Sequence, residues 1–465
     1  MTKALFIAYY FPPVGGAGVQ RIQKFVRYLG PEGILPVVVA GPASTKGHWT
    51  PSDRSLLADI PPSVEVHRIE GPAPTGPNRW ERKAQSLLGL PGPFAKWWIE
   101  AATKAALNAA QDVSFVFATM PPFESAEVAD AVSQKLGIPW VADLRDPWAV
   151  DEIQVYLSSL HRQHALSKME NLLMRASLIV MNTPTAAAAL LRTLPRLAAK
   201  TVVSICNGFD REDFESAVSR RDDGKFRIVH AGSLLTELGL QFRAQKVHRF
   251  LGGARKDVDI LTRSPVILLE AVSAWLKERP EIATEVEIVF AGHATGSDEA
   301  VVNRSPIGRL VRFAGYLEHA ESLRLVRTAD LLFLPMHNLS EGRRATTIPG
   351  KAYEYMASGR PILAGVPDGD ARDFLQQCGT ALVCRPDDVQ GMMKNIERVY
   401  QAWKSGKTDL RSNVAFVNQF ERRTLTAALA RALRDELGFA ASDAVLSTAG
   451  EPPSVTTLLG DSSEK

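Results

Sequence analysis

Short apolar runs alternate with helical segments along the first part of this chain. The runs predicted as strands are Ala4–Tyr10, Leu35–Ala40, Val113–Ala118, Pro139–Ala142 and Leu178–Asn182, and predicted helices cover Val19–Leu29 and Ser125–Leu136. Strands that are apolar throughout and separated by helices are typical of a parallel sheet covered on both faces. The alternation therefore predicts an α/β fold.

The same alternation starts again in the second part of the chain. Here the predicted strands are Phe226–Ala231, Val286–Ala291, Val311–Phe313, Leu331–Pro335, Pro361–Ala364 and Thr380–Val383, and the predicted helices are Ser264–Lys277, Ala320–Ala329 and Gly350–Ser358. We therefore predict two doubly wound domains, residues 1–205 and 206–439. A ligand cleft is expected where the carboxyl ends of the two sheets face each other.

Two stretches depart from this alternation. Residues 236–262 interrupt the second domain after its first strand and carry five basic residues. They are interpreted either as a solvated insertion or as a patch for anionic lipid or a phosphorylated acceptor. Residues 440–465 are rich in Ser, Thr and Pro, which predicts a disordered tail. The helix before this tail is counted with the second domain, and packing of this helix against the first domain is the alternative.

The composition excludes several protein classes. The 54 basic and 51 acidic residues leave a net charge of +3, which argues against bulk nucleic-acid binding. The three cysteines include no CxxC pair and fit a reducing compartment. No apolar run reaches about 18 residues, and residues 1–10 resemble a buried strand more than a signal sequence. We expect a cytoplasmic protein without a membrane span.

A glycine-rich turn, Phe11–Gly18, lies between the first predicted strand and helix. Gly15 and Gly16 would let the backbone approach a ligand, and the helix N-terminus behind them favours an anion. The turn lacks both GxGxxG and GK[ST], which excludes a dinucleotide fingerprint and a P-loop. It is a candidate anion site or simply a tight turn.

A polar loop, Asp143–Trp148, follows the strand Pro139–Ala142. Asp143, Asp146 and Arg145 are of the types that orient hydroxyl groups, and Trp148 can stack on a sugar ring. The alternative is an Arg–Asp pair that holds the loop in place.

The segment TTIPGKAYEYMASG, residues 346–359, predicts a second anion site. Pro349 begins a helix whose first N–H groups come from Gly350 and Lys351. Glu354 lies one turn further on the same face, where its carboxylate could accept two ribose hydroxyls. The alternative for Glu354 is an ordinary solvent-facing position.

Other catalytic patterns are missing from the sequence. The nine histidines form no HExxH motif, so no metal site and no cofactor are expected. No GxSxG elbow occurs, which argues against an α/β-hydrolase.

Taken together, several segments resemble the bacterial GT-B glycosyltransferases of family 4, also called group 1. In the first half these are YYFPPVGGAGVQRIQKFVRYL, ATMPPFESAEVA, GIPWVADLRDPWA and CNGFDREDF, and in the second RIVHAGSL, VRFAGYLEHAESLRLVRTADLLFLP and IPGKAYEYMASGRPILA. The likeness covers about residues 1–435 in family order. It implies two Rossmann-like domains, an acceptor domain and then a nucleotide-sugar donor domain. It also implies metal-independent sugar transfer, with retention at the anomeric carbon.

The resemblance also implies roles for individual residues. Gly15 and Gly16 would lie at the donor diphosphate and the acceptor, and Gly350 and Lys351 would bind the diphosphate. Glu354 matches the second Glu of the family's Glu-x7-Glu motif, which holds the ribose.

Other positions depart from the family pattern. Ser233 stands where many members have an Arg, and Arg263 resembles the Lys that acts on the same phosphates. Thr346 replaces the first Glu, as in a polysaccharide-assembly subgroup, so the donor sugar is not implied.

The predicted function is therefore sugar transfer to a saccharide or lipid-linked acceptor during cell-surface polysaccharide synthesis. Arg263 would stabilise charge on the leaving diphosphate, and Asp146 would orient the acceptor hydroxyl. Two alternatives remain, a non-enzymatic scaffold that binds nucleotide sugars and a nucleotide-sugar 2-epimerase. Aromatic and basic residues are either an interfacial patch for an anionic membrane or packing residues; these are Trp80, Trp97, Trp98, Lys83 and Lys96.

Overall fold

The computed structural model describes residues 1–43, 52–71, 92–219 and 221–439. The tail predicted at 440–465 lies outside the described residues. The chain divides into two compact units that do not simply follow chain order. Within the described residues, the first contains Met1–Asn207, Leu251–Ala254 and residues 422–439, and the second contains Gly208–Phe250 and Arg255–Glu421.

The first unit is built on a parallel sheet, seven-stranded within the described residues. Its strands are β1 (Thr2–Ala8), β2 (Ile34–Ala40), β3 (Glu65–Arg68), β4 (Phe115–Met120), β5 (Trp140–Leu144), β6 (Leu178–Met181) and β7 (Thr201–Ser204). Its helices before residue 207 include α1 (Ala17–Leu29), α2 (Pro93–Ala109), α3 (Ser125–Leu136), α4 (Ser159–Leu173) and α5 (Pro184–Thr193). The strand order is β3-β2-β1-β4-β5-β6-β7, so the winding direction reverses between β1 and β4.

Both faces of this sheet are covered, which explains why β1 is apolar and buried from Ala4 to Ala8. Leu5 and Ile7 belong to the core on one face, whereas Ala4 and Phe6 belong to the core on the other. Alternate residues of a strand point to opposite faces, so a strand buried on both faces shows no polar alternation.

The second unit repeats this architecture. Its strands are β8 (Phe226–Ala231), β9 (Val258–Asp259), β10 (Val286–Ala291), β11 (Val311–Gly315), β12 (Leu331–Pro335), β13 (Asn338–Leu339), β14 (Ile362–Gly365) and β15 (Ala381–Cys384). Its helices include α6 (Glu212–Glu215), α7 (Thr236–Ala244), α8 (Lys246–Phe250), α9 (Val266–Glu278), α10 (Gly296–Arg304), α11 (His319–Arg327), α12 (Lys351–Ser358), α13 (Asp370–Gln377), α14 (Val389–Ser405) and α15 (Val414–Val417). The main sheet has the order β11-β10-β8-β12-β14-β15 and reverses direction between β8 and β12, while β9 and β13 form a separate antiparallel pair. The predicted α/β class with two doubly wound domains is confirmed.

The last described helix, α16 (Arg422–Leu437), packs in the first unit rather than the second. Leu429, Ala430 and Leu433 share a core with Ala4 and Phe6 of β1. The apolar stripe of this helix thus covers one face of the first sheet.

Two further expectations concern membrane contact. Of the predicted interfacial residues, Trp98 is fully buried in the first core and Trp97 is partly buried, while Trp80 and Lys83 lie outside the described residues. Packing therefore accounts for Trp98, and its interfacial role is corrected. In the part of the chain that the structure describes, no helix is both long enough and apolar enough to cross a membrane.

Candidate active site

The glycine-rich turn lies between β1 and α1, beside the reversal point of the first sheet. Gly16 is the N-cap of α1 and has a φ of +109°, a region that side-chain-bearing residues avoid. No side-chain hydrogen bond caps the helix. Gly15 is buried directly before it. The turn thus presents backbone at a helix N-terminus, as the predicted anion site requires.

Asp143 takes part in a buried ion pair at the end of β5. Its carboxylate is fully buried, with Oδ1 2.7 Å from Nη2 of Arg21 and Oδ2 2.8 Å from the donating hydroxyl of Thr119. Arg21 also donates from Nη1 to the carbonyl of Ile205 at 2.8 Å. Asp143 therefore holds β5 to α1, and this burial argues against its predicted contact with an acceptor.

Arg145 joins several loops at the same edge. Its guanidinium donates to the carbonyl oxygens of Pro121 at 2.8 Å and of Gly18, and it lies 5.4 Å from the ring centre of Tyr10. Burial lowers the pKa of Arg145, while the nearby Asp146 carboxylate raises it. These contacts match the loop-holding alternative considered for this segment.

The other two predicted residues of this loop differ in exposure. Asp146 is exposed, and its carboxylate interacts electrostatically with Arg145. Trp148 is buried and its ring stacks on Phe123 with 4.9 Å between the ring centres. Its φ of +53° is unusual for a bulky side chain. Sugar stacking by Trp148 stays a prediction, because Phe123 already covers one face of the indole.

The second unit places a histidine–lysine pair at the carboxyl end of β8. His230 is buried, and its Nδ1 lies 2.9 Å from the carbonyl oxygen of Phe333 on β12. A carbonyl only accepts, so Nδ1 donates and Nε2 of the neutral ring accepts from Nζ of Lys351 at 3.0 Å. Burial and the Lys351 charge hold the pKa of His230 well below 6.5.

Positive charges gather around this pair. Burial and the charge of Arg263 lower the pKa of Lys351 to about 7, whereas Glu354 acts in the opposite direction. Arg263 also lowers the pKa of His230. Lys351 and Arg263 are distant in sequence, yet the fold makes them electrostatic neighbours. A low pKa here means that the ammonium form of Lys351 lacks full compensation, and an anion would supply it.

The backbone around Lys351 is arranged for close approach. Gly350 is the N-cap of α12, and no side-chain hydrogen bond caps this helix. Gly232 has a φ of +118°, and a Cβ at this position would collide with the Lys351 side chain. The Tyr355 hydroxyl accepts a hydrogen bond from the N–H of Ala231 at 2.8 Å, which fastens α12 to the end of β8.

The remaining predicted donor residues belong to the same unit. Glu354 is partly exposed and lies one turn after Lys351 on α12. Ser233 is partly exposed in the loop after β8, and Thr346 is buried in the segment before α12. Arg263 and Glu354 both interact electrostatically with Lys351, because Arg263 lowers the pKa of Lys351 and Glu354 raises it.

His230 and Tyr355 are site residues that the sequence analysis missed. The available signal was the histidine in RIVHAGSL, a polar residue near the carboxyl end of an otherwise apolar strand. A buried polar side chain requires a partner, and Lys351 could have been proposed for it.

No group of three or more His, Cys, Asp or Glu side chains is placed to hold a metal ion within residues 1–43, 52–71, 92–219 and 221–439. Metal-independent chemistry stays a prediction.

Comparisons with known proteins match part of the second unit. Residues 262–402 match the family described as "Glycosyl transferases group 1", a range that contains Arg263, Lys351 and Glu354. The D-inositol 3-phosphate glycosyltransferase of Streptomyces avermitilis is 27% identical over 228 residues, which are 45% of this chain and 46% of the relative. The chain thus spans about half the length of the curated relatives it matches.

Two solved structures cover nearly the whole chain. Anabaena Alr3699/HepE in complex with UDP and glucose has a TM-score of 0.58 at 17% identity, covering 94% of this chain and 100% of that one. Sucrose-phosphate synthase from Thermosynechococcus elongatus has a TM-score of 0.64 at 15% identity, covering 94% and 99%. The chain has the GT-B fold, and its residues 262–402 are similar to the family described as "Glycosyl transferases group 1".

Proposed function

We propose that this protein is a glycosyltransferase that moves a sugar from a nucleoside diphosphate donor to a saccharide or lipid-linked acceptor. The observation that carries the proposal is the placement of Lys351 beside Arg263 at the N-terminus of α12. Two like-charged side chains next to a helix N-terminus form a site of positive potential, and a diphosphate has the complementary charge.

The comparisons support the donor class. The matched relative is named for glycosyl transfer, and the Anabaena structure holds UDP and glucose. Uridine diphosphate sugars are therefore the first donors to test. Membership of family 4 and of its polysaccharide-assembly subgroup, with Thr346 in place of the first Glu, belongs to the same proposal.

In the proposed reaction the bond between the anomeric carbon and the diphosphate oxygen breaks, with retention and without a metal ion. Negative charge then develops on the leaving diphosphate. Lys351, Arg263 and the backbone N–H groups at Gly350 are preorganised to stabilise that charge.

The other predicted residues complete the proposed binding of both substrates. Glu354 accepts hydrogen bonds from the ribose, Ser233 and Thr346 line the donor region, and Gly15 and Gly16 approach the diphosphate and the acceptor. Asp146 orients the attacking hydroxyl, with Arg145 and Trp148 shaping its loop.

We further propose a role in cell-surface polysaccharide synthesis at the cytoplasmic face of the cell membrane. A lipid-linked acceptor is confined to that surface, so contact with anionic lipid would bring enzyme and acceptor together.

The first experiment is a thermal-shift screen of the full chain against UDP, GDP, ADP and their common sugars. A ligand that binds only the folded state raises the melting temperature. The ligand that binds is then tested for release of nucleoside diphosphate with and without candidate acceptors. Acceptor-dependent release supports transfer, interconversion of donor sugars without an acceptor supports the epimerase, and binding without turnover supports the scaffold.

Arg263→Ala tests the role of this side chain in the reaction. If Arg263 acts on charge that develops during bond cleavage, the variant loses turnover by a larger factor than it loses affinity for the nucleoside diphosphate. Loss of binding alone, with an unchanged kcat, contradicts this role.

A further inference from the structure

Helices α7 and α8 expose apolar side chains on the surface of the second unit. Phe250 is 85% exposed and Val247 is 67% exposed, and both lie on α8, three residues apart on one face. On α7, Leu238 and Leu240 are also exposed. These four residues, together with Lys246, are called the α7–α8 surface.

Helix α7 is packed against the unit by one of its sides. Thr236, Gly239 and Phe242 form the buried face of α7, at the three-residue spacing of a helix that packs by one side. The hydroxyl of Thr236 donates to Asp298, and the guanidinium of Arg249 lies 4.8 Å from the ring centre of Phe242. One side of α7 is therefore fixed to the unit while apolar side chains remain on the other.

Basic residues occur in the same stretch of chain as the exposed apolar side chains. Residues 236–256 contain five basic residues and a single acidic one, Glu237. Arg243 is paired with Asp259 at 2.6 Å and Arg255 with Asp257 at 3.1 Å. Lys246 and Lys256 are exposed, and Lys246 directly precedes Val247 on α8. The surface thus combines bulky apolar groups with a positive charge.

We propose that the α7–α8 surface binds the anionic lipid surface of a membrane. Phe250 and Val247 would enter the boundary between headgroups and acyl chains, while Lys246 would contact lipid phosphates. Charge favours this partner over a second copy of the chain, because two copies of the same basic surface repel each other. If the chain has the proposed function, on which this last point rests, the contact would bring the donor-binding unit to a lipid-linked acceptor.

The first test measures sedimentation of the full chain with vesicles, without nucleotide sugar or acceptor. The protein is expected to bind vesicles of 70% phosphatidylcholine and 30% phosphatidylglycerol, and to bind pure phosphatidylcholine weakly. Val247→Ser combined with Phe250→Ser is expected to weaken binding about tenfold or more, because the largest apolar groups are lost. Val414→Ser is the matched control, since Val414 is 60% exposed on α15 of the same unit.

The second test concerns charge. Lys246→Glu is expected to weaken binding to the anionic vesicles about tenfold, and the effect should shrink as salt is added. Lys277→Glu, an exposed position at the end of α9, is the control and should bind as the unaltered chain does. Circular dichroism melting of each variant verifies that it is folded.

Three results would overturn the proposal. The first is absence of binding to the anionic vesicles. The second is unchanged binding by both the Val247→Ser, Phe250→Ser double variant and the Lys246→Glu variant. The third is a dimer in solution that Phe250→Ser dissociates. Because no substrate is present, these results are independent of whether the chain transfers sugar. A chain that binds vesicles but releases no nucleoside diphosphate would leave this surface supported and contradict only the proposed function.

Discussion

Charged residues near the carboxyl ends of the parallel strands interact differently in the two units. In the first unit, Arg21 is paired with the buried carboxylate of Asp143, and Arg145 donates to backbone carbonyls. In the second, Lys351 and Arg263 are electrostatic neighbours of like sign, and the pKa of Lys351 falls to about 7. Opposite charges are therefore paired in the first unit, whereas like charges are neighbours in the second.

This difference distinguishes a scaffold from a binding site. The Arg21–Asp143 pair joins α1 to β5, and Arg21 also contacts the carbonyl of Ile205 directly after β7. The pair therefore contributes to the stability of the first unit. The Lys351–Arg263 arrangement is unfavourable by itself, and an anion would relieve it. We therefore expect substitution of Asp143 in the first unit to change stability, and substitution of Lys351 in the second unit to change ligand affinity.

The largest expected effect is on stability. Asp143→Ala leaves the Arg21 guanidinium buried without its carboxylate, which should lower the free energy of unfolding by about 3–5 kcal/mol. Urea unfolding followed by circular dichroism measures this loss. The control is an exposed carboxylate of the same unit, and Glu100→Ala on α2 should change stability by less than about 0.5 kcal/mol. Equal stabilities of the two variants would remove the contrast between the units.

Lys351→Gln should act on ligand affinity instead. Loss of a charge-assisted contact to phosphate is expected to weaken UDP binding by about 1.5–3 kcal/mol, or roughly tenfold to a hundredfold. Without ligand the variant should differ little in stability from the unaltered chain, since removal of a like charge near Arg263 offsets the loss of the hydrogen bond to His230. Isothermal titration and thermal melting measure the two quantities. A variant that loses stability but keeps its affinity for UDP would make Lys351 a scaffold residue.

Glu354→Ala should reduce affinity in a way that depends on the sugar part of the nucleotide. Lost hydrogen bonds to the ribose are expected to weaken UDP binding by roughly 1–3 kcal/mol. Binding of inorganic pyrophosphate, which has no ribose, provides the control and should not weaken. Isothermal titration of both ligands tests this, and equal losses for the two would contradict a ribose contact.

The smallest effect is a dependence of UDP affinity on pH. Lys351 has a pKa of about 7 in the folded chain and an ordinary value of 10.5. Above pH 7 the folded chain has released a proton that the unfolded chain retains, so this group makes stability rise between about pH 7 and 10.5. A bound diphosphate favours the charged form, so UDP affinity should fall above pH 7, by at most about tenfold per pH unit.

Proton uptake gives a direct measurement of this coupling. At pH 8, titration of UDP in two buffers with different ionisation enthalpies should show that binding takes up a proton. Lys351→Gln should abolish the uptake, and proton uptake by that variant equal to that of the unaltered chain would assign the effect to another group.

Much of the fold was predictable because its strands are apolar on both faces. Phe226–Ala231, Val286–Ala291 and Leu331–Pro335 are strands with the predicted bounds, and Ser125–Leu136 is a helix with the predicted bounds. Short peripheral elements such as β3 (Glu65–Arg68) were missed, because alternating polar residues on a four-residue strand give a weak signal.

The site was predictable only in part. Gly350, Lys351 and Glu354 lie in one helix turn, so their proximity follows from helical spacing. Arg263 was singled out by family resemblance, and the structure makes it an electrostatic neighbour of Lys351. The role of His230 was not predicted, because its hydrogen bond to Lys351 joins residues that are far apart in the sequence.

The sequence by itself determined the local elements and the two-fold repetition of the doubly wound pattern, because periodicity and helix signals act over a few residues. Tertiary structure alone decided that α16 completes the first unit, that Asp143 is a buried partner of Arg21, and that His230 and Arg263 surround Lys351. Burial and charge pairing depend on contacts between distant segments, and those contacts exist only once the sheets have formed.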